Sequence, residues 1–175
     1  MSAERLNVRD MTVMAVFAAA LAVMSQISIP MPSGVPITLQ TFALALIGYS
    51  LGAKRGAMAV LVYLLLGAVG VPVFANFHGG AAVFFGVTGG FLWTFWVTAL
   101  FCGLKRDAGP GQAIASGLIG MILMYAVGLA QFMVLTGTGF KEALMLCVAP
   151  FIIKDLVSLV LAYGIAKTVR RRVGL

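Results

Sequence analysis

A lysine and an aspartate stand side by side in the apolar stretch PFIIKDLVSLVLAY, residues 150–163. Lys154 and Asp155 are its only charged residues, and an ionisable pair in a hydrophobic segment is a functional-site hypothesis by default. Pro150 suits the first turn of a helix, so the pair falls near a helix N-terminus, where free N–H groups favour a bound anion. The alternative is that Lys154 extends outward to lipid headgroups while Asp155 caps the helix.

Few other residue patterns in the sequence could support catalysis or metal binding. The chain has no GxxxxGK[ST] and no HExxH, and Asp155 is the only one of its five acidic residues within an apolar segment. Cys102 and Cys147 lack metal-ligand spacing and are expected to be free, buried thiols. His78, the only histidine, has no ligand partner near it in sequence, which favours a solvated or structural role. The sequence therefore predicts a binding protein and not an enzyme, with no metal and no cofactor.

Composition indicates that the solvent of this chain is a lipid bilayer. Its 175 residues are 62% hydrophobic and 10% charged, whereas a soluble domain is about 45–50% apolar and about 25% charged. We expect a single domain, residues 1–175, that is an all-α integral membrane protein with six transmembrane helices. Each span needs about 20 mostly apolar residues, and the candidates are 11–29, 37–53, 56–72, 86–104, 113–136 and 151–168.

The basic residues predict the orientation of these spans. With the N-terminus inside, Lys141 is the only basic residue in an outside segment. The inside segments hold Arg5, Arg9, Lys54, Arg55, Lys105, Arg106, Lys167, Arg170, Arg171 and Arg172. This is the positive-inside pattern, so both termini are expected to be cytoplasmic. The net charge of +7 is thereby explained without nucleic acid.

The connection VPVFANFHGGAAVFFGVTGG, residues 71–90, is longer than a turn requires. Irregular backbone at membrane depth is tolerated only where it is buried in protein or lines a cavity. The segment therefore predicts a lid or wall over a pocket that opens to the outside, and the alternative is a re-entrant packing element. Farther along, FKEALMLCV, residues 140–148, predicts a short surface helix.

Three ordered motifs resemble the BioY family of biotin transporters, which are S components of energy-coupling factor (ECF) transporters. Residues 29–74 resemble the signature of the family's first loop and its second and third helices, GVTGGF (86–91) resembles GPTGGY, and PFIIKDLVS (150–158) resembles PFIPGDxxK. The resemblance covers nearly the whole chain. It implies six helices, a pocket closed by outer loops, biotin as substrate, and the inner (plasma) membrane of a bacterial cell. It also implies a transmembrane coupling (T) subunit and ATP-binding cassette ATPases as partners. A solitary transporter and a homo-oligomer both stay open.

The resemblance, taken together with the chemistry of the residues, predicts a set of substrate-binding residues. These are Asp155, Lys154, Asn76, Ser158, Thr88, Gly89, Phe91, Phe74 and Gln40. A carboxylate and an amide suit the ureido ring of biotin, phenylalanines suit its thiophane ring, and a cation suits its carboxylate.

The sequence departs from the family pattern within this set. Ser158 stands where the family has a lysine, and Lys154 stands where it has a glycine. Positions four apart share a helix face, so we expect that the cation has moved by one turn and serves the same carboxylate. Together with Val87 and Phe91, these departures leave open a different small vitamin or heterocycle as the ligand.

Small residues in the first span suggest a partner contact. Ala15 and Ala19, or alternatively Ala18 and Ala22, have the AxxxA spacing that lets helices approach closely. By resemblance, Ala15 and Ala19 would contact the coupling subunit. The alternative is ordinary packing within the bundle.

Overall fold

Seven α-helices make up most of residues 7–174, the part of the chain that the computed structural model describes. The helices are α1 (Val8–Ser25), α2 (Gln40–Leu51), α3 (Ala53–Ala68), α4 (Gly89–Leu104), α5 (Pro110–Thr136), α6 (Phe140–Cys147) and α7 (Ala149–Val173). Two strands, β1 (Ser28–Ile29) and β2 (Ile37–Thr38), and two 3₁₀ segments, Ala75–Phe77 and Ala81–Phe85, complete the elements. The predicted all-α fold class is confirmed. Arg5, used above for orientation, lies outside the described residues.

The helix termini follow from local chemistry. The Asn7 side chain accepts a hydrogen bond from the backbone N–H of Asp10 at 2.8 Å, and this capping box starts α1 three residues before the predicted span. Pro110 and Pro150 occupy the first turns of α5 and α7, where the missing N–H of proline has no cost. The short surface helix predicted near residue 140 is present as α6.

The predicted second span, 37–53, is shorter than expected because its first residues form a strand. Ser28 pairs with Thr38 and Ile29 with Ile37 in a two-stranded antiparallel ladder, so α2 begins only at Gln40. Its twelve residues give a helix of about 18 Å. At its other end Gly52, with φ +84°, separates α2 from α3.

Helix length and composition are those of a membrane protein. Among the described residues, α1, α5 and α7 are each long and apolar enough to cross a bilayer, and α2 and α4 are shorter apolar helices. Large apolar side chains such as Val134, Ile153 and Leu65 point away from the bundle. Such faces are stable only against lipid or another apolar surface.

The ends of the bundle opposite the β-ladder are connected by basic residues. Arg106 donates to the Ser50 carbonyl at 2.7 Å, and Arg9 donates to the Val173 carbonyl at 2.6 Å. Arg170 hydrogen-bonds Asp107 in the α4–α5 connection, and this bond lowers the pKa of the Asp107 carboxyl. We call this region the basic end, and the opposite region, with residues 26–39 and 69–88, the loop end.

Close contact between α2 and α4 gives the first prediction. A Cβ at Gly48 would lie 2.3 Å from the Ala99 carbonyl oxygen and 2.6 Å from the Cys102 Cβ. Gly48→Ala should therefore force the helices apart and cost about 1–3 kcal/mol of unfolding free energy, measured by thermal unfolding in detergent. Gly164→Ala is the matched control, since a Cβ there meets nothing within 4 Å and alanine favours the helix. Equal stability of the two variants would contradict close packing at Gly48.

Candidate ligand-binding site

A cavity of about 340 Å³ lies at the loop end, within the size range of small-molecule sites. Its apolar wall includes Val35, Phe74, Val83, Val87, Phe91, Leu92, Phe95, Met124 and Phe151. Its polar lining consists of Thr38, Gln40, Thr41, Asn76, His78, Thr88, Tyr125, Lys154 and Asp155. The late start of α2 helps to form this cavity, because Gly34, Val35, Pro36 and Thr38 line it with non-helical backbone just before the helix.

Asp155 forms the buried polar end of the cavity. Its side chain is 2% exposed, and one carboxylate oxygen contacts the Lys154 ammonium. The other oxygen accepts a hydrogen bond from the Tyr125 hydroxyl on α5. A buried carboxylate needs this degree of pairing. An ionised carboxylate has about four lone-pair sites, so these two contacts leave acceptor capacity for a ligand N–H.

Lys154 points into the protein and not toward lipid headgroups. Its Nζ donates to the Thr38 carbonyl at 2.8 Å and to the Thr41 hydroxyl at 3.4 Å, besides contacting Asp155. The interpretation in which Lys154 extends outward and Asp155 caps the helix is therefore wrong. Three oxygen partners match the three protons of an ammonium group, so Lys154 holds the start of α2 against α7.

Two glutamines hold the irregular connection between α3 and α4. Gln26, at the end of α1, donates to the Val73 and Phe74 carbonyls and accepts from the Phe77 N–H. Gln131 on α5 donates to the Phe84 and Gly86 carbonyls at 2.9 and 2.8 Å. Side-chain amides thus replace the hydrogen bonds that a regular helix would supply to this backbone. The connection is a wall of the cavity, as the glycine-rich and phenylalanine-rich sequence predicted.

The turn at Asn76 is strained. Asn76 and Phe77 both have φ +58°, a left-handed conformation that is uncommon for asparagine and an outlier for phenylalanine. Such strain persists only where the surroundings fix it. Here the Ser28 hydroxyl donates to Asn76 Oδ1 at 2.6 Å, and the Phe74 N–H donates to the His78 carbonyl across the turn.

Seven of the nine predicted site residues line the cavity, and two do not. Those at the cavity are Asp155, Lys154, Asn76, Thr88, Phe91, Phe74 and Gln40. Ser158 is buried one turn farther along α7, outside the lining. Gly89 serves packing instead, because a Cβ there would lie 1.9 Å from the Phe84 carbonyl oxygen.

The chemical availability of the seven residues differs. The Gln40 amide is occupied, donating to Tyr63 at 3.1 Å and accepting from Thr38 at 2.9 Å. Gln40 therefore supports the cavity wall from within the bundle. By contrast, the Asn76 oxygen is held by Ser28, which leaves the Asn76 amide protons for a ligand oxygen.

Sequence reasoning missed Tyr125, Thr38 and Thr41. Tyr125 lies in the apolar run of α5. Its hydroxyl could have indicated a polar partner inside the bundle, since a buried tyrosine O–H usually has a hydrogen-bond partner. Thr38 accepts the Lys154 hydrogen bond through its backbone carbonyl. Every residue has such a carbonyl, so the residue type does not indicate which one is used. His78, expected to be solvated or structural, is exposed and also lines the cavity.

The alanines of α1 fall on two different faces. Ala15 and Ala19 are exposed, whereas Ala18 is 3% exposed and Ala22 is partly buried. Packing within the bundle therefore accounts for Ala18. It does not account for Ala15 and Ala19.

One sequence pattern associated with hydrolases has no catalytic setting here. GYSLG, residues 48–52, has the GxSxG form, but the nucleophile elbow requires a serine exposed on a strand-to-helix turn. Ser50 is fully buried within α2, and the single histidine lies at the loop end. This serine is a packing residue.

Comparison with known proteins places this chain in a family. A family model described as BioY family matches residues 1–175. The chain belongs to the BioY family. It is 41% identical over 160 residues to the biotin transporter BioY of Thermotoga maritima, covering 89% of this chain and 92% of the relative. It is 38% identical over 165 residues to the probable biotin transporter BioY of Pyrococcus horikoshii, covering 93% and 96%.

A solved structure matches the same BioY fold. The chain superposes with a TM-score of 0.85 on a crystal structure at 2.1 Å of the S-component for biotin from an ECF-type ABC transporter. The two are 27% identical, and the match covers 94% of this chain and 92% of the other. BioY family members are transporters, which agrees with the prediction that the chain is not an enzyme.

The Gln26 contacts give a prediction about the cavity wall. Gln26→Ala removes the acceptor of the Phe77 N–H and the donor to the Val73 and Phe74 carbonyls. Hydrogen–deuterium exchange of residues 73–78 should then become faster, by about fivefold if the opening free energy falls by about 1 kcal/mol. Gln112→Ala, an exposed glutamine at the basic end, is the control and should leave these amides unchanged. Unchanged exchange in Gln26→Ala would show that the turn is stable without the hydrogen bonds from Gln26.

Proposed function

We propose that this BioY-family chain captures biotin from the outer side of the membrane and carries it inward as the S component of an ECF-type transporter. The observation that carries the proposal is the cavity, whose walls are apolar and whose buried end is a hydrogen-bonded carboxylate. Biotin has the matching form: a ureido ring with N–H donors, an apolar thiophane ring and chain, and a terminal carboxylate. The names of the relatives and of the solved S component support the same ligand.

Each part of the ligand has a proposed partner. Asp155 accepts the ureido N–H bonds with its remaining lone pairs. Phe74, Phe91 and the other apolar residues of the wall enclose the thiophane ring and chain. Asn76 donates its amide protons to a ligand oxygen, and Thr88, at the start of α4, offers a hydroxyl at the same cavity. A few such polar groups suffice to orient a mostly apolar molecule.

Lys154 has a different role in this proposal from the one expected for it. The ureido ring and the carboxylate lie at opposite ends of an extended biotin molecule, whereas Lys154 touches Asp155 directly. If Asp155 holds the ureido ring, Lys154 lies at that same end. Lys154 therefore positions the Asp155 carboxylate, while the ligand carboxylate lies elsewhere in the cavity.

The proposal includes six spans with both termini in the cytoplasm of a cell whose plasma membrane holds the protein. The sixteen residues of α3 and of α4 give helices of about 24 Å, short for a hydrocarbon core of about 30 Å. The twelve-residue α2 is completed by residues 35–39, of which Val35, Pro36 and Thr38 line the cavity, as non-helical backbone within a membrane is expected to do. The basic end faces the cytoplasm, in agreement with the positive-inside rule.

Partner binding is proposed for the outward face of α1. Ala15 and Ala19 are exposed one turn apart, and small residues at that spacing allow a second helix to pack closely. The partner is the transmembrane coupling subunit, which works with two ATPases. The two ATPases supply the energy for transport, for which the sequence of this chain has no GxxxxGK[ST] motif.

Two substitutions test the ligand and the role of Lys154, by calorimetric titration in detergent. Asp155→Asn should weaken biotin about 10- to 100-fold, because a charged acceptor is lost. Lys154→Ala should weaken biotin and biotin methyl ester to a similar extent, because it acts through Asp155. Lys141→Ala, an exposed cation outside the cavity lining, is the control and should bind as wild type does.

Two results would contradict these assignments. A loss in Lys154→Ala that is confined to biotin would show that Lys154 contacts the ligand carboxylate. Absence of biotin binding by folded wild-type protein would overturn biotin as the ligand and favour another small heterocycle.

The α1 face is tested by adding bulk. Ala19→Trp should abolish co-purification with the coupling subunit and ATPases while biotin titration stays as in wild type, because Ala19 lies outside the cavity. Ile122→Trp places the same bulk at an exposed position of α5 and should assemble normally. Normal assembly of Ala19→Trp would exclude this face as the docking site.

A further inference from the structure

Two phenylalanine rings of the cavity wall rest against glycines of neighbouring helices. Phe74 and Phe91 both line the cavity, and they are 2% and 8% exposed. Phe74 contacts Gly67 of α3, and Phe91 contacts Gly128 of α5. Neither glycine lines the cavity itself, so each can act on the cavity only through the ring that it contacts.

The rings occupy the space that a side chain at these glycines would need. A Cβ at Gly67 would lie within 2.5 Å of the Cζ, Cε1 and Cε2 atoms of Phe74. A Cβ at Gly128 would lie within 2.5 Å of Cε1, Cδ1 and Cζ of Phe91. Carbon atoms in van der Waals contact are about 3.5–4.0 Å apart. An alanine at either position therefore requires the ring or the backbone to move.

At Gly67 the backbone on both sides of the contact is held by hydrogen bonds. The Gly80 N–H donates to the Gly67 carbonyl at 2.7 Å. The Phe74 N–H donates to the His78 carbonyl at 3.0 Å, and the Phe74 carbonyl accepts from Gln26 at 3.1 Å. An added Cβ is therefore accommodated by the Phe74 side chain and not by the chain that carries it.

The neighbours of the Phe74 ring determine where it can go. The ring packs edge-to-face against Tyr63 and against Phe84, with centroids 5.5 Å apart in both pairs. Protein interiors are close-packed, so a displaced ring moves toward the open space that it borders. For Phe74 that space is the cavity.

The Phe91 ring lies where the backbones of α4 and α5 approach closely. A Cβ at Gly90 would lie 2.8 Å from the Gly128 Cα and 2.6 Å from the Val127 carbonyl oxygen. The three atoms nearest to a Cβ at Gly128 nevertheless all belong to the Phe91 ring. A side chain can rotate where a helix backbone cannot, so this ring too is displaced toward the cavity.

We infer that Gly67 and Gly128 set the size of the cavity and thereby its selectivity for the ring system of the ligand. They are positioning residues, because each lets a phenylalanine ring lie back from the space that a ligand fills. The inference rests on the proposed function and deepens it. An apolar pocket discriminates by fit, and one methylene changes the selectivity about 10- to 200-fold.

The test compares ligands with a larger and a smaller ring system by calorimetric titration in detergent. The ligands are biotin and dethiobiotin, which lacks the sulfur atom and therefore the thiophane ring. Gly67→Ala and Gly128→Ala should each weaken biotin about tenfold or more, and dethiobiotin no more than about threefold. Because the two glycines lie on different helices, each variant tests the inference by itself if the other does not fold.

Gly117→Ala is the matched control for overpacking inside the bundle. A Cβ at Gly117 would lie 2.5 Å from the Tyr49 hydroxyl and 2.9 Å from Leu159 Cδ2. Neither of these side chains lines the cavity. Gly117→Ala should therefore lower the unfolding temperature and retain the wild-type affinities for both ligands.

A shorter side chain at Phe74 should rescue the Gly67 variant. Phe74→Leu removes the Cζ, Cε1 and Cε2 atoms that the added Cβ would meet. In that background, Gly67→Ala should change the biotin affinity by less than about threefold, and this double-mutant cycle isolates the contact between the two residues. A loss that came only from a weakened fold would persist.

The outcomes separate the two levels of the proposal. Wild-type biotin affinity in both glycine variants, equal losses for biotin and dethiobiotin, or failure of the Phe74→Leu rescue would each overturn the role of the glycines. Biotin capture would stand in all three cases. Absence of biotin binding by folded wild-type protein would overturn biotin capture, and the inference for this ligand with it.

Discussion

The hydrogen bond from the Lys154 ammonium to the Thr38 carbonyl is the contact on which the cavity depends. It joins α7 to the backbone where α2 starts late, and it does so from a side chain that also contacts Asp155. Non-helical backbone next to the start of α2 lines the cavity. Within a membrane, such backbone needs hydrogen-bond partners inside the protein. Lys154 supplies one such partner and at the same time contacts the Asp155 carboxylate, which lines the cavity.

The wall formed by the connection between α3 and α4 depends on hydrogen bonds from other parts of the protein. The Asn76 turn has two consecutive left-handed residues, and its stability comes from Gln26, which directly follows α1, and from Ser28 on β1. Gln131 does the same for the carbonyls of Phe84 and Gly86. Because these supports come from three different elements, the wall is positioned by the whole bundle, and polar side chains inside apolar helices become structural necessities.

Much of this architecture could be predicted from the sequence, because long apolar runs and proline positions are local signals. The helices α1, α3, α4, α5 and α7 lie within or near the predicted spans, and Pro150 correctly indicated a helix start next to Lys154. The late start of α2 could not be predicted in this way, since it depends on pairing between residues 28–29 and 37–38. Strand pairing is decided by partners distant in sequence and not by local propensity.

The candidate site shows the same division between local and tertiary information. Residue type alone singled out Asp155 and Lys154, since charge is rare in an apolar helix. Whether a neighbouring residue lines a cavity depends on helix rotation and packing, which is why Ser158 and Gly89 lie outside the lining. The partner of Asp155, Tyr125, is thirty residues away, and nothing in the spacing of the two residues connects them.

The energetics of the Lys154–Asp155 pair support the proposal that it is present for binding. A buried ion pair seldom stabilises a protein more than well-packed apolar residues of similar volume, because desolvation of both charges offsets their attraction. In a helix surrounded by apolar side chains, two apolar residues at these positions would stabilise the fold at least as much as the ion pair does. What apolar residues cannot supply is an acceptor for ligand N–H groups at the end of an apolar cavity. The pair has that capacity because Lys154 and Tyr125 satisfy only part of the carboxylate, and Asp155 is among the residues that line the cavity.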